Sequence, residues 1–77
     1  MTREDFIREF ADILGVDDGS LAPETVLASL DAWDSVAYLS TVVLIDDQLG
    51  MALRPDQLES AVTVNDLLAM IASRLSA

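Results

Sequence analysis

Fourteen acidic residues against four arginines give this 77-residue chain a formal net charge of −10 at pH 7, and it contains no lysine, histidine or cysteine. Those absences exclude a Ser-His-Asp triad, a thiol nucleophile, a disulfide and the usual zinc ligand sets within the chain, and Asp17-Asp18 and the other acids lack an EF-hand spacing, so no metal site is expected. The acidity repels nucleic acid and anionic membranes, and no apolar run nears the roughly 20 residues that span a bilayer. A single domain over residues 1–77, monomeric and cytoplasmic, is the expectation.

The first helix is expected to open at Thr2, with Asp5 three residues later completing an approximate capping box. Phe6, Ile7, Phe10, Ile13 and Leu14 form its apolar stripe, and Gly15 ends it, with Val16 folding back onto the stripe. A long connection follows, punctuated by Gly19, Ser20 and Pro23. Loops of this length are uncommon and often functional. Its apolar residues Leu21, Val26, Leu27 and Leu30 predict that it is pinned across the other elements, with a short helical turn beginning near Pro23.

From Trp33 to Gly50 the chain reads Trp-Asp-Ser-Val-Ala-Tyr-Leu-Ser-Thr-Val-Val-Leu-Ile-Asp-Asp-Gln-Leu-Gly. Asp34 and Ser35 favour a helix start and Gly50 a stop. Tyr38, Leu39, Val42, Ile45 and Leu49 recur at steps of three and four, which predicts that they share the buried face. Pro55 to Ser60 predicts a short third helix. Thr63 and Asp66 form a second approximate capping box for a last helix carrying Val64, Leu67, Leu68, Ile71 and Leu75. No strand pair is expected. Three amphipathic helices and a short one can bury their faces together as a small all-α bundle.

Asp34-Ser35-Val36, at the start of an amphipathic helix that ends in an acidic pair and Gly50, resembles the Asp-Ser-Leu signature of acyl and peptidyl carrier proteins. Trp33-Asp34-Ser35 looks like the tryptophan-bearing version found in many stand-alone carriers, and Pro23-Glu24-Thr25 ahead of it is similar to the same family. The resemblance covers nearly the whole chain. It implies a four-helix bundle with a long first loop and a short third helix, and a 4′-phosphopantetheine arm, derived from coenzyme A, on the hydroxyl matched by Ser35.

On the residues alone Ser35 reads as a helix cap, and the resemblance implies the second reading, this attachment site. A phosphate at a helix N-terminus lies near unpaired N–H groups and the positive end of the dipole, which supports attachment. The serine needs no internal base, because in the family a separate phosphopantetheinyl transferase makes the phosphodiester. Asp34 is either the cap or, as the family suggests, an aid to the approach of a divalent cation and the transferase. Trp33 is a half-buried anchor for the end of the loop or a partner contact.

With that apolar face turned inward, Val36, Ser40, Val43 and Asp47 form a neighbouring stripe beginning beside Ser35. Val36 and Val43 match positions where carriers present apolar contacts to partner enzymes, and Asp47 matches an acidic one. Many fatty-acid carriers have acids where this chain has Ala37 and Ser40, a departure that turns the reading away from a fatty-acid synthase. Asp46 and Asp47 sit at the negative end of their helix, where a carboxylate costs about 0.3 to 1 kcal/mol, a local violation that invites a functional explanation.

The resemblance therefore implies a non-catalytic carrier of acyl or aminoacyl thioesters, in secondary-metabolite (polyketide or nonribosomal-peptide-type) or fatty-acid-type biosynthesis. Its partners would be the transferase and the enzymes that load and transfer the acyl group. The rival reading is an unmodified acidic interaction module with the same fold. A hydrolase ranks last, since Ser35 has neither a base nor a Gly-x-Ser-x-Gly elbow.

Overall fold

Thr2 and Asp5 set the first helix: Thr2 Oγ1 accepts the Asp5 N–H at 3.1 Å, and Asp5 Oδ2 accepts the Thr2 N–H at 3.2 Å. This reciprocal pair satisfies donors that a helix start leaves orphaned. In the computed structural model, which describes residues 1–76, α1 then runs Arg3–Leu14. It stops at Gly15, whose φ of 70° lies in the left-handed region that glycine enters without a Cβ clash. The Val16 N–H closes the cap on the Ala11 carbonyl at 3.1 Å, although the Val16 side chain stays exposed.

α2 (Ser35–Leu49), α3 (Pro55–Glu59) and α4 (Val64–Ile71) complete four helices, with two isolated bridges and no strand among the described residues. The all-α fold with a long first loop and short third helix is as expected from the sequence. Phe6 and Phe10 of α1, Leu27 of the loop, Ile45 of α2, Leu58 of α3, and Leu67 and Ile71 of α4 are fully buried, so each helix and the first loop contributes to one core. α4 has its own capping box, Thr63 with Asp66. It ends earlier than the apolar pattern predicts: a 3-10 turn, Ala72–Arg74, follows Ile71 and leaves Leu75 only half-buried.

The first loop is pinned by backbone as well as by side chains. The Leu27 N–H meets the Val62 carbonyl at 2.9 Å, Val64 N–H meets Thr25 O at 3.0 Å, and Asn65 N–H meets Pro23 O at 2.9 Å. Val26 is extended and bridges Thr63, so alternation turns Leu27 inward and Val26 outward. Val26 is thus exposed, contrary to expectation, while Leu21 and Leu27 are buried. The helical turn expected near Pro23 falls instead at Leu27–Ser29. Pro23 and Glu24 form a turn closed twice, by Thr25 N–H to Ala22 O and by Ala22 N–H to Thr25 Oγ1, each 3.0 Å.

In α2 the innermost residues are Ala37, Thr41, Ile45 and Leu49, with Tyr38, Val42 and Leu44 half-buried. Leu39, expected inside, is 56% exposed. Thr41 is tolerated in the core because its hydroxyl donates to the Ala37 carbonyl at 2.8 Å, leaving no polar atom unsatisfied.

Candidate functional site at the start of α2

The backbone entering α2 is fixed bond by bond. Trp33 N–H donates to Leu30 O and Asp34 N–H to Ala32 O, each at 3.0 Å. Asp34 is extended (φ −124°, ψ −173°), its Oδ1 accepts the Ala37 N–H at 3.0 Å, and its carbonyl accepts the Tyr38 N–H at 2.9 Å. Asp34 is therefore the cap, and the capping reading of Ser35 is ruled out in this geometry. Ser35 is the first residue of the helix, exposed, and its hydroxyl makes no hydrogen bond among the described residues.

Trp33 anchors this entry more deeply than the half-buried position expected. Only 9% of it is exposed. Its ring meets Phe10 of α1 edge-on at 5.4 Å and Tyr38 of α2 edge-on at 4.5 Å, and Phe10 stacks in turn on Phe6 at 5.9 Å. Each such pair is worth about 0.5 to 1.5 kcal/mol beyond its buried area. A side chain enclosed on this scale anchors the end of the loop, the first of the two roles read for Trp33 in the sequence.

The proposed partner stripe is divided by burial. Val36 (70% exposed), Val43 (59%) and Asp47 face out, whereas Ser40 is half-buried. Leu39 joins Val36 and Val43 on the surface at steps of three and four, an exposed residue that the inward reading of α2 missed. The available signal was that same spacing, read from the valines rather than from Ile45. Neither of two surface clefts beside α1, one lined by Arg3, Glu4 and Leu75 and the other by Ile7, Arg8 and Asp18, takes in Ser35. The serine projects from the surface instead.

This geometry suits a covalent phosphate. With Ala37 N–H committed to Asp34, the amides of Ser35 and Val36 have no intramolecular acceptor among the described residues, and both lie at the positive end of α2. A phosphodiester on Ser35 Oγ would find donors there, while Asp34, facing the adjacent Ala37 amide, keeps the serine oxygen free. The model of the family described as "Phosphopantetheine attachment site" matches residues 4–71, which includes α1 except Arg3, the loop, α2, α3 and α4. The chain belongs to that family. It is similar to the acyl carrier protein MbtL of Mycolicibacterium paratuberculosis (strain ATCC BAA-968 / K-10), at 39% identity over 62 residues that cover 80% of this chain and 70% of that protein. This phosphopantetheine-attachment protein is a carrier, from a family that is generally non-catalytic, and its cofactor is covalently attached 4′-phosphopantetheine. No helix among the described residues is long and apolar enough to cross a membrane.

Proposed function

We propose that Ser35 is the attachment residue and that the chain, as one carrier domain over residues 1–77, moves acyl or aminoacyl groups between enzymes without catalysing a reaction itself. The observation that carries this reading is the exposed Ser35 hydroxyl at the first position of α2, free of the capping bond that Asp34 makes. Once attached, the arm supplies a terminal thiol on which the cargo rides as a thioester. The chain's own residues do the rest: Asp34 holds the helix start, Trp33 seats it on the core, and the unpaired Ser35 and Val36 amides receive the phosphate.

Partner enzymes would dock on Val36, Leu39 and Val43 with Asp47 at the far end of the stripe. Ser40, half-buried, and Ala37, buried, leave the upper part of this surface apolar instead of acidic. That character favours secondary-metabolite biosynthesis over a fatty-acid synthase, and the likeness to an acyl carrier supports acyl cargo. The working location is the cytoplasm, where coenzyme A and the transferase meet the chain.

Intact mass of the unmodified protein after incubation with coenzyme A and a broad-specificity phosphopantetheinyl transferase tests the assignment. The parent should gain one phosphopantetheinyl group and Ser35→Ala none. Modification persisting on Ser29 or Ser40 in that variant would move the site, and failure of the parent with several competent transferases would favour the unmodified interaction module.

A further inference from the structure

The turn that carries Ser35 is capped by Asp34 but buries little of its own in the core. Between Ser35 and Leu44 the only buried residues are Ala37 and Thr41, one very small and the other polar; the first large buried side chain of α2 is Ile45, almost three turns along. Ser35, Val36 and Leu39 all face outward. Helix ends fray, and beyond the Asp34 cap a single buried side chain, Ala37, ties this one to the core. What compensates is the aromatic contact that brackets the turn: Trp33, two residues before Ser35, meets Tyr38, three residues after it, edge-on at 4.5 Å. Trp33 is in turn held by Phe10 of α1.

Resting on the assignment of Ser35 above, we propose that Tyr38 is a positioning residue for phosphopantetheine attachment. Its ring closes the bracket with Trp33 and keeps the Asp34–Ser35 turn in the pose that the transferase accepts. A substrate that is competent for only a fraction of the time binds more weakly by that fraction, while the bound complex is unchanged. Loss of the bracket therefore raises KM for the carrier and leaves kcat alone. The aromatic ring matters for this role and the hydroxyl does not, because no hydrogen bond ties the Tyr38 hydroxyl to the described residues.

Trp33 is the only tryptophan in the chain, so its fluorescence reports the bracket without a label. The test compares the parent, Tyr38→Leu and Tyr38→Phe, each in unmodified form, by Trp33 emission and by transferase kinetics with coenzyme A. Tyr38→Leu should shift the emission to the red and raise KM several-fold with kcat unchanged. Tyr38→Phe should match the parent in both. Should Tyr38→Leu fail to fold, as judged by far-ultraviolet circular dichroism, Tyr38→Met, which removes the ring but fills more of its space with a flexible side chain, takes its place and should give the same rise in KM.

A red shift with KM unchanged would overturn the proposal, since the bracket would then open without consequence for Ser35. Equal rises in KM for the leucine and phenylalanine variants would also overturn it, pointing to a hydroxyl contact with the transferase. A parent that takes up no arm would remove the assignment of Ser35 itself, a result distinct from either of these.

Discussion

Asp34 Oδ1 accepts the Ala37 N–H at 3.0 Å and thereby relieves Ser35 of any capping duty. The two neighbours should consequently part company when each is replaced by alanine. Asp34→Ala removes the cap and should cost about 1 kcal/mol, within the 0.5 to 2 typical of such losses. Ser35→Ala removes an exposed, unbonded hydroxyl and should stay within about 0.5 kcal/mol of the parent. For a chain of this size about 1 kcal/mol corresponds to roughly 4 to 8 °C in Tm, so thermal unfolding separates the two. Equal losses would mean that the serine shares the cap.

Val43→Asp and Asp47→Arg should slow acyl transfer by partner enzymes while the circular-dichroism spectrum stays helical, because both side chains are exposed. Leu39→Ser should do the same. A several-fold loss for each would reflect about 1 kcal/mol of binding. Unchanged kinetics in all three would move the docking surface off this face of α2.

Leu39 also marks where the sequence ceased to be legible. Around α1 and α4 the apolar residues fall on one side with polar residues opposite, so Phe6, Phe10, Leu67 and Ile71 could be placed in the core by spacing alone. The caps at Thr2 and Thr63 were equally readable, since the capping box is local chemistry. From Val36 to Ile45, α2 has only two polar residues, Ser40 and Thr41, and apolar side chains project all round it. Periodicity cannot choose an inward face in such a helix. Tertiary packing chose the side with Ala37 and Thr41, turning Leu39 out. Ser35 was legible as a motif, but its freedom from capping follows from the Asp34 side chain's orientation, and Trp33's depth depends on Phe10, which is distant in sequence.

Thr41→Val should be neutral or stabilising by up to about 1 kcal/mol. The Ala37 carbonyl that accepts the threonine hydroxyl is also the helical partner of the Thr41 N–H, so removing the hydroxyl orphans nothing, and a buried polar group is exchanged for a methyl. Denaturant unfolding with unchanged m-value would measure it. A destabilisation beyond about 1 kcal/mol would show that the site cannot accept the valine's shape.

Raising ionic strength from low to physiological should raise Tm. The chain carries −10, and the ion pairs among the described residues, Arg8 with Asp5 and Arg54 with Asp56, are both exposed and therefore weak. Screening, with a Debye length of about 8 Å at physiological salt, removes more repulsion than attraction in such a molecule. A Tm that falls over the same range would show that the arginine pairs dominate.

Acid should erase a specific part of the stability, and Asp66 gives the means to isolate it. Its Oδ2 accepts the Thr63 N–H at 3.0 Å and the Val62 N–H at 3.1 Å. The bond from Thr63, then that from Val62, holds its carboxyl below the usual aspartate range. Asp5 is lowered in the same way, chiefly by the Thr2 N–H. A folded pKa below the unfolded value of about 3.9 means that the stabilising contribution is complete above that value. It declines as pH falls below about 4 and is gone once pH passes the depressed folded value. Asp66→Asn keeps the side chain's size and loses its charge, so its Tm should lie below that of the parent at pH 7. The gap should close as pH is lowered from about 4. Relief of the overall negative charge acts on both proteins alike and leaves the difference to report Asp66. A gap that stays constant down to pH values well below the ordinary aspartate range would show that the ionised carboxylate is not what holds Val62 and Thr63.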